Sequence, residues 1–150
     1  MPYILFSVAG TTYGVASDRV RHIDMLEHVT PVPNAPPFVD GVVFSRGEVV
    51  PVVNLRARFG FERAPHGMRT RLLIVDAGGR RLALLVDEAR EFVTVPEGSM
   101  QPPGDALVGV SGRYLDAVST MGERIVLMLN LDRLVEQVGD TDVPATPTRG

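Results

Sequence analysis

Leu72-Leu73-Ile74-Val75, then Gly78-Gly79, then Leu82-Ala83-Leu84-Leu85-Val86 is the stretch that decides the class of fold. Both apolar runs are too short to make a helix and are rich in branched side chains, so each reads as a buried strand. The glycine pair between them supplies the positive-φ backbone that a tight reversal requires, and the whole reads as a β-hairpin. The same signal recurs outward in both directions. Val42-Val43-Phe44 and Val49-Val50 are broken at Arg46-Gly47, within a pattern that runs from Gly41 to Val53. Tyr3–Val8 and Tyr13-Gly14-Val15 flank Gly10-Thr11-Thr12. Phe92–Val95 and Val108-Gly109-Val110 add strands around Pro102-Pro103, and Ile125–Leu129 follows a turn at Met121-Gly122-Glu123. Many short strands punctuated by Gly and Pro predict an all-β barrel or sandwich.

Helical signals are few. Leu131, Leu134, Val135 and Val138 fall at the spacing of one buried helix face behind an Asn130 cap, and Asn54 is placed to cap a brief helix over Leu55–Phe59. Ser17 is expected to cap a short turn through Val20, after which His22–Glu27 reads as extended. Thr30–Pro37 carries four prolines and is expected to be an ordered loop. Residues 139–150 lack apolar content and are expected to form a flexible tail, leaving residues 1–138 as the folded domain. A hairpin followed by a short helix occurs in both halves, but no repeat of fixed length is read.

Composition narrows the function. A chain of 150 residues, 45% hydrophobic and 22% charged, is one ordinary domain. A net charge of −3 and the lack of a basic cluster argue against nucleic acid as a partner, and 9 aromatics in all give poor stacking platforms for a single strand. All 15 basic residues are Arg, interspersed with acids. Cysteine is absent, which excludes disulfides and thiolate metal sites. The first residues show no secretory pattern and no run is long enough to span a membrane, so a cytoplasmic protein without membrane insertion is expected.

Raw material for catalysis is thin. His22, His28 and His66 are scattered and do not form a helical pair of metal ligands, so neither metal nor cofactor is expected. Asp87, Glu88 and Glu91 follow an apolar strand where a turn needs solvated charge. Ser7 and Ser111-Gly112 lack the spacing of a nucleophile elbow. A small β-barrel enzyme, or a barrel binding module of another kind, remains the alternative to a scaffold.

Six fragments in series carry more. They are Phe6–Gly10 with Tyr13-Gly14-Val15; Pro33-Asn34-Ala35-Pro36-Pro37-Phe38-Val39-Asp40-Gly41-Val42; Arg46-Gly47-Glu48-Val49-Val50-Pro51-Val52-Val53-Asn54-Leu55-Arg56; Leu84–Glu88; Met100-Gln101-Pro102-Pro103; and Leu127–Leu134. In this order the chain resembles the CheW family from Tyr3 to about Val138. The resemblance implies two five-stranded SH3-like β-barrels packed together, and a non-enzymatic adaptor that couples chemoreceptors to a histidine kinase in a chemosensory array. It implies two contact faces. Val20, His22, Arg46 and Arg71 would meet the cytoplasmic tip of a methyl-accepting chemoreceptor, and Gly41, Ala89 and Phe92 the regulatory domain of a CheA-type kinase. For Arg46, bracing the barrels and touching a partner both stay open.

The departures from the family pattern are specific. Phe44-Ser45 stands where Asn-Leu is usual before Arg-Gly, His22 where receptor-coupling members carry Glu, Arg71 where an apolar residue is usual, and Ala83 and Ala117 where small glycines are usual. If His22, Arg46 and Arg71 share a groove, that groove should be more basic than in relatives and should select a receptor tip with an additional acid.

Overall fold

The computed structural model describes residues 1–104 and 111–135. Its first hairpin is β1 (Pro2–Val8) and β2 (Thr11–Ala16), reversing through Ala9 and Gly10 at φ 51° and 84°. A 3-10 turn over Ser17–Arg19 leads to β3 (Val20–Met25), and the proline loop to β4 (Val39–Ser45), β5 (Glu48–Asn54) and α1 (Leu55–Arg58). There follow β6 (Arg71–Ala77), β7 (Arg80–Val86), β8 (Glu88–Thr94), β9 (Met100–Gln101), β10 (Leu115–Met121), β11 (Arg124–Leu129) and α2 (Leu131–Leu134). The expected hairpins and both Asn caps are present: the Asn54 and Asn130 side chains accept from the Ala57 and Arg133 N–H groups at 3.2 and 2.9 Å.

Two local readings need correction. Ala16, not Ser17, precedes the 3-10 turn, and no side chain caps it. Leu115–Met121 is a strand that the sequence reading passed over, because Asp116, Ala117, Ser119 and Thr120 dilute its apolar pattern. The strand expected at Val108–Val110, the helix beyond Val135 and the tail at 139–150 lie outside the described residues.

The strands form two sheets, in the orders β8-β1-β2-β11-β10-β9 and β3-β6-β7-β5-β4. Each rolls up. In the first sheet the chain passes from edge strand β8 to the opposite edge β9 in the few residues 95–99, so the two edges must lie close together. The second is closed by Thr30, just beyond β3, which exchanges backbone hydrogen bonds with Val42 of β4 at 2.9 and 2.8 Å. Leu5, Val95, Val126 and Met128 fill the first barrel, and Val43, Val50, Val52, Leu72, Ile74, Ala83 and Leu85 the second. The largest cluster lies between them, with Phe6, Tyr13, Leu55, Leu73, Leu82, Leu84 and Leu134 among its members.

The pairings expose a duplication. Phe38, Asp40, Asn54 and Arg58 correspond to Tyr114, Asp116, Asn130 and Leu134, each pair 76 residues apart like Arg58 and Leu134. Asn54 N–H donates to Phe38 C=O at 2.8 Å, and Asn130 N–H to Tyr114 C=O at 2.7 Å. The Asn54 side chain donates to Asp40 at 2.9 Å, and that of Asn130 to Asp116 at 3.0 Å. Bulges at Asp40 and Asp116 match as well. At a second constant spacing, β1, β2 and β3 correspond to β6, β7 and β8, with bulges at Arg21 and Arg90. In each barrel the first hairpin comes from one copy and the other principal strands from the other copy. The two barrels are therefore interlocked.

Charged clamps lock the seam at both ends. Asp87 accepts from the Ala9 N–H at 2.8 Å and from Arg56 at 2.8 and 3.0 Å. At the corresponding turn of the other copy Asp132 accepts from the Gly78 N–H at 2.9 Å and from Arg19 at 2.6 Å. Burial alone would raise the Asp87 carboxyl, but the Arg56 guanidinium and the Ala9 N–H outweigh it and hold the group below its ordinary value. A carboxylate with a depressed folded-state pKa stabilises the fold above its ordinary value, and that stability is lost as pH falls through the folded one. Urea unfolding of wild type and Asp87→Asn should therefore differ most near neutral pH and converge well below 3.8. A difference that stayed constant down to strongly acid pH would show that the carboxylate charge is irrelevant to the clamp.

Candidate functional site

Side chains on β3 alternate between two faces, and the register fixes which is which. His22 and Asp24 stand opposite Ile74 and Leu72, which belong to the interior of the second barrel, so both polar groups point into its mouth. Ser45, at the end of β4 and 8% exposed, meets them there. Its hydroxyl donates to Asp24 Oδ2 at 3.2 Å, and since it has one proton, His22 Nε2 at 3.2 Å must be the donor to Ser45. The other Asp24 oxygen lies 3.8 Å from the Arg46 guanidinium. Arg46 occupies the hairpin turn at φ 50° with its side chain 68% exposed, so one end of this polar chain is buried and the other faces water.

This cluster brings together two of the expected receptor-facing residues, His22 and Arg46. Val20 packs against the central core from the start of the same strand, opposite Val75. Arg71 is not part of it: it stands opposite Met25, on the other face of the sheet, and donates to the Met68 and Thr70 carbonyls at 2.7 and 2.8 Å. The basic groove expected from His22, Arg46 and Arg71 together is therefore not assembled, and Asp24 supplies an acid that the sequence reading overlooked. The signal was available, because Asp24 lies two residues from His22 in an extended segment and so shares its face.

The other barrel has a matching mouth. Glu91, at the position that corresponds to His22, stands opposite the interior residue Leu5 and pairs with Arg124 at 2.7 Å. Ala89 and Phe92 lie on the same strand, β8, at the positions that correspond to Val20 and Ile23, and Phe92 is 65% exposed. Gly41 is different in kind. It is buried in β4 at φ 145°, and a β-carbon there would run into the Thr30 carbonyl that closes the second barrel.

The three histidines stay apart from any metal-like arrangement, and among the described residues no group of three or more His, Asp or Glu side chains converges as a metal site. No described helix is long and apolar enough to cross a membrane.

The chain matches the CheW-like domain family over residues 2–139. It belongs to that family. This CheW-like chain is 30% identical over 129 residues to the chemotaxis protein CheW of Rhizobium meliloti, covering 86% of this chain and 83% of that one. It is 24% identical over 133 residues to CheW of Klebsiella aerogenes, covering 89% and 80%, and 29% identical over 138 residues to protein FrzA of Myxococcus xanthus, covering 89% and 84%. Among solved structures, the scaffolding protein TtCheW from Thermoanaerobacter tengcongensis superposes with a TM-score of 0.83 at 25% identity, covering 90% of this chain and 92% of that one. The expected all-β fold of two SH3-like subdomains stands, with a short sixth strand, β9, in one sheet.

Gly41→Ala should destabilise the protein by about 3 kcal/mol, through strain at positive φ and loss of the Thr30–Val42 closure. Ala117, its counterpart, already carries the β-carbon, so Ala117→Gly should change stability by about 1 kcal/mol or less. Thermal unfolding of the two variants checks both values, and equal effects would contradict the assignment.

Proposed function

We propose that this chain is a non-enzymatic adaptor of a bacterial chemosensory array, bridging the cytoplasmic tip of a methyl-accepting chemoreceptor and the regulatory domain of a CheA-type histidine kinase. The observation that carries the reading is the duplication itself. It gives one protein two corresponding strand faces, β3 and β8, whose side chains have diverged. Beside β3 the set is Val20 and His22 on the strand and the exposed Arg46 of the β4–β5 turn next to Asp24, which suits a polar helical surface with carboxylates. On β8 it is Ala89 and the exposed Phe92, which suits an apolar contact with a domain of the same fold. Gly41, which the reading assigns to the kinase side with them, lies in β4 of the other barrel, where it permits the Thr30–Val42 closure. Arg71 stands apart from the His22–Arg46 cluster, and its Nη1 donates to two backbone carbonyls.

A role in binding rather than turnover is supported by where the polar groups are spent. Asp24, Ser45 and His22 plug one barrel mouth, Glu91 and Arg124 plug the other, and Asp87 and Asp132 clamp the seam. The place of work for such an adaptor is the cytoplasmic face of a receptor array.

Arg46→Glu should lower affinity for the receptor tip by roughly 1–3 kcal/mol while leaving affinity for the kinase domain nearly unchanged. The loss should shrink as salt is added, because a contact this exposed is screened. Calorimetric titration against the two partners at two salt concentrations checks it. Equal loss for both would mean that Arg46 braces the fold and touches neither.

A further inference from the structure

The two copies of the duplicated unit are joined by residues 59–70, a connector that neither barrel needs for its own strands. Five of the 15 arginines fall between Leu55 and Arg71, with Glu62 as the one acid among them. Arg56 is engaged by Asp87, and Arg63 by Asp40 at 2.9 Å and by the Pro37 carbonyl. The tip is closed by Gly67 N–H to Thr70 Oγ1 at 2.8 Å and by Thr70 N–H to Gly67 C=O at 3.2 Å. Arg71 holds it from below by its bonds to the Met68 and Thr70 carbonyls. On this braced turn Met68 is 90% exposed, and Met25, which stands opposite Arg71, is 65% exposed.

An apolar side chain held out in water by a hydrogen-bonded turn adds nothing to the fold. It is available for a contact, and methionine suits that use because its unbranched thioether adapts to irregular sockets. Positive charge is in excess around it. Arg69, 79% exposed, lies 3.8 Å from Glu88, which Arg90 approaches at 3.6 Å, so two guanidiniums share one carboxylate. Arg71 has no carboxylate partner among the described residues. Glu88 opens β8, so Arg69 ties the turn to the strand that carries Ala89 and Phe92.

We propose that the Met68 turn is a second docking element that inserts Met68 into an apolar socket rimmed by carboxylates on the kinase regulatory domain, extending the β8 contact; this rests on the adaptor reading above. The test is titration of the full chain and of Met68→Ser and Arg69→Glu with that domain and, separately, with the receptor tip. Both positions are exposed, and unchanged melting temperatures establish that both variants are folded. Met68→Ser should weaken kinase-domain binding about tenfold and leave receptor binding unchanged. Arg69→Glu should weaken the same partner, more at low salt than at high. Kinase-domain affinities within about twofold of wild type for both variants would overturn the docking turn while leaving the adaptor reading intact, as would a loss confined to the receptor tip. If the unsubstituted chain bound neither partner, the adaptor reading itself would fall, and the turn's partner with it.

Discussion

The guanidinium of Arg58 sits between the rings of Phe38 and Tyr114, 4.0 and 4.8 Å from their centroids, and its Nε donates to the Leu134 carbonyl at 3.0 Å. Both ring residues are counterparts of each other in the duplicated unit, and so are Arg58 and Leu134. A residue that touches its own counterpart lies on the axis relating the two copies. The barrels are thus joined at their centre by a cation of which 7% is exposed, stacked on one aromatic from each copy and capping the last turn of α2. A lysine could not stack in this way and also reach the carbonyl in the plane of its charge, which is why the two cations are not equivalent here.

Around that axis the copies have kept their backbone and exchanged their chemistry. Asp87 with Arg56 holds the Ala9 turn, and Asp132 with Arg19 holds the Gly78 turn, yet Arg56 and Asp132 occupy matching positions. The turn amides they serve, Ala9 and Gly78, correspond, but the second partner does not: Asp87 corresponds to Asp18, and Arg19 beside it supplies the charge that meets Asp132. What is constrained is the amide at the tight turn, which cannot be left unpaired where the barrels meet. Because each barrel takes its first hairpin from the other copy, neither half of the chain contains a complete barrel, and separation of the halves would open both cores.

How much of this could be read in the sequence follows from the range of each interaction. The hairpins at Ala9-Gly10, Arg46-Gly47 and Gly78-Gly79 and the caps at Asn54 and Asn130 depend on residues a few positions apart, and they were legible. The family resemblance rested on such local fragments. The duplication was not seen, although Phe38-Val39-Asp40-Gly41 and Tyr114-Leu115-Asp116-Ala117 share their pattern, as do Asn54-Leu55 and Asn130-Leu131. Its hydrophobic positions are conserved in kind and not in identity, so comparison residue by residue hides it. Arg71 shows the opposite failure. The face it uses depends on pairing with β3, and its partners are carbonyls that composition cannot reveal.

A duplicated fold also explains how one small chain can serve two partners without a moving part. Val20 and Ala89, Ile23 and Phe92, His22 and Glu91 are corresponding positions on β3 and β8, so any surface that one strand offers has a rotated equivalent on the other. If β3 and β8 face different partners as proposed, divergence at those positions would separate them by side chain alone. His22 with Asp24 leaves a cation, Arg46, at the rim of its mouth, whereas Glu91 is neutralised by Arg124 and leaves the apolar ring of Phe92 as the most exposed feature beside it. With the partners divided as proposed, a charged rim and an apolar one would discourage each other's partner, because a misplaced partner would desolvate Arg46 against apolar groups or set its carboxylates against Phe92. Rigidity then becomes useful: with the axis held by Arg58, the angle between the two faces is a fixed property of the chain, and the geometry of whatever it joins is set by that angle.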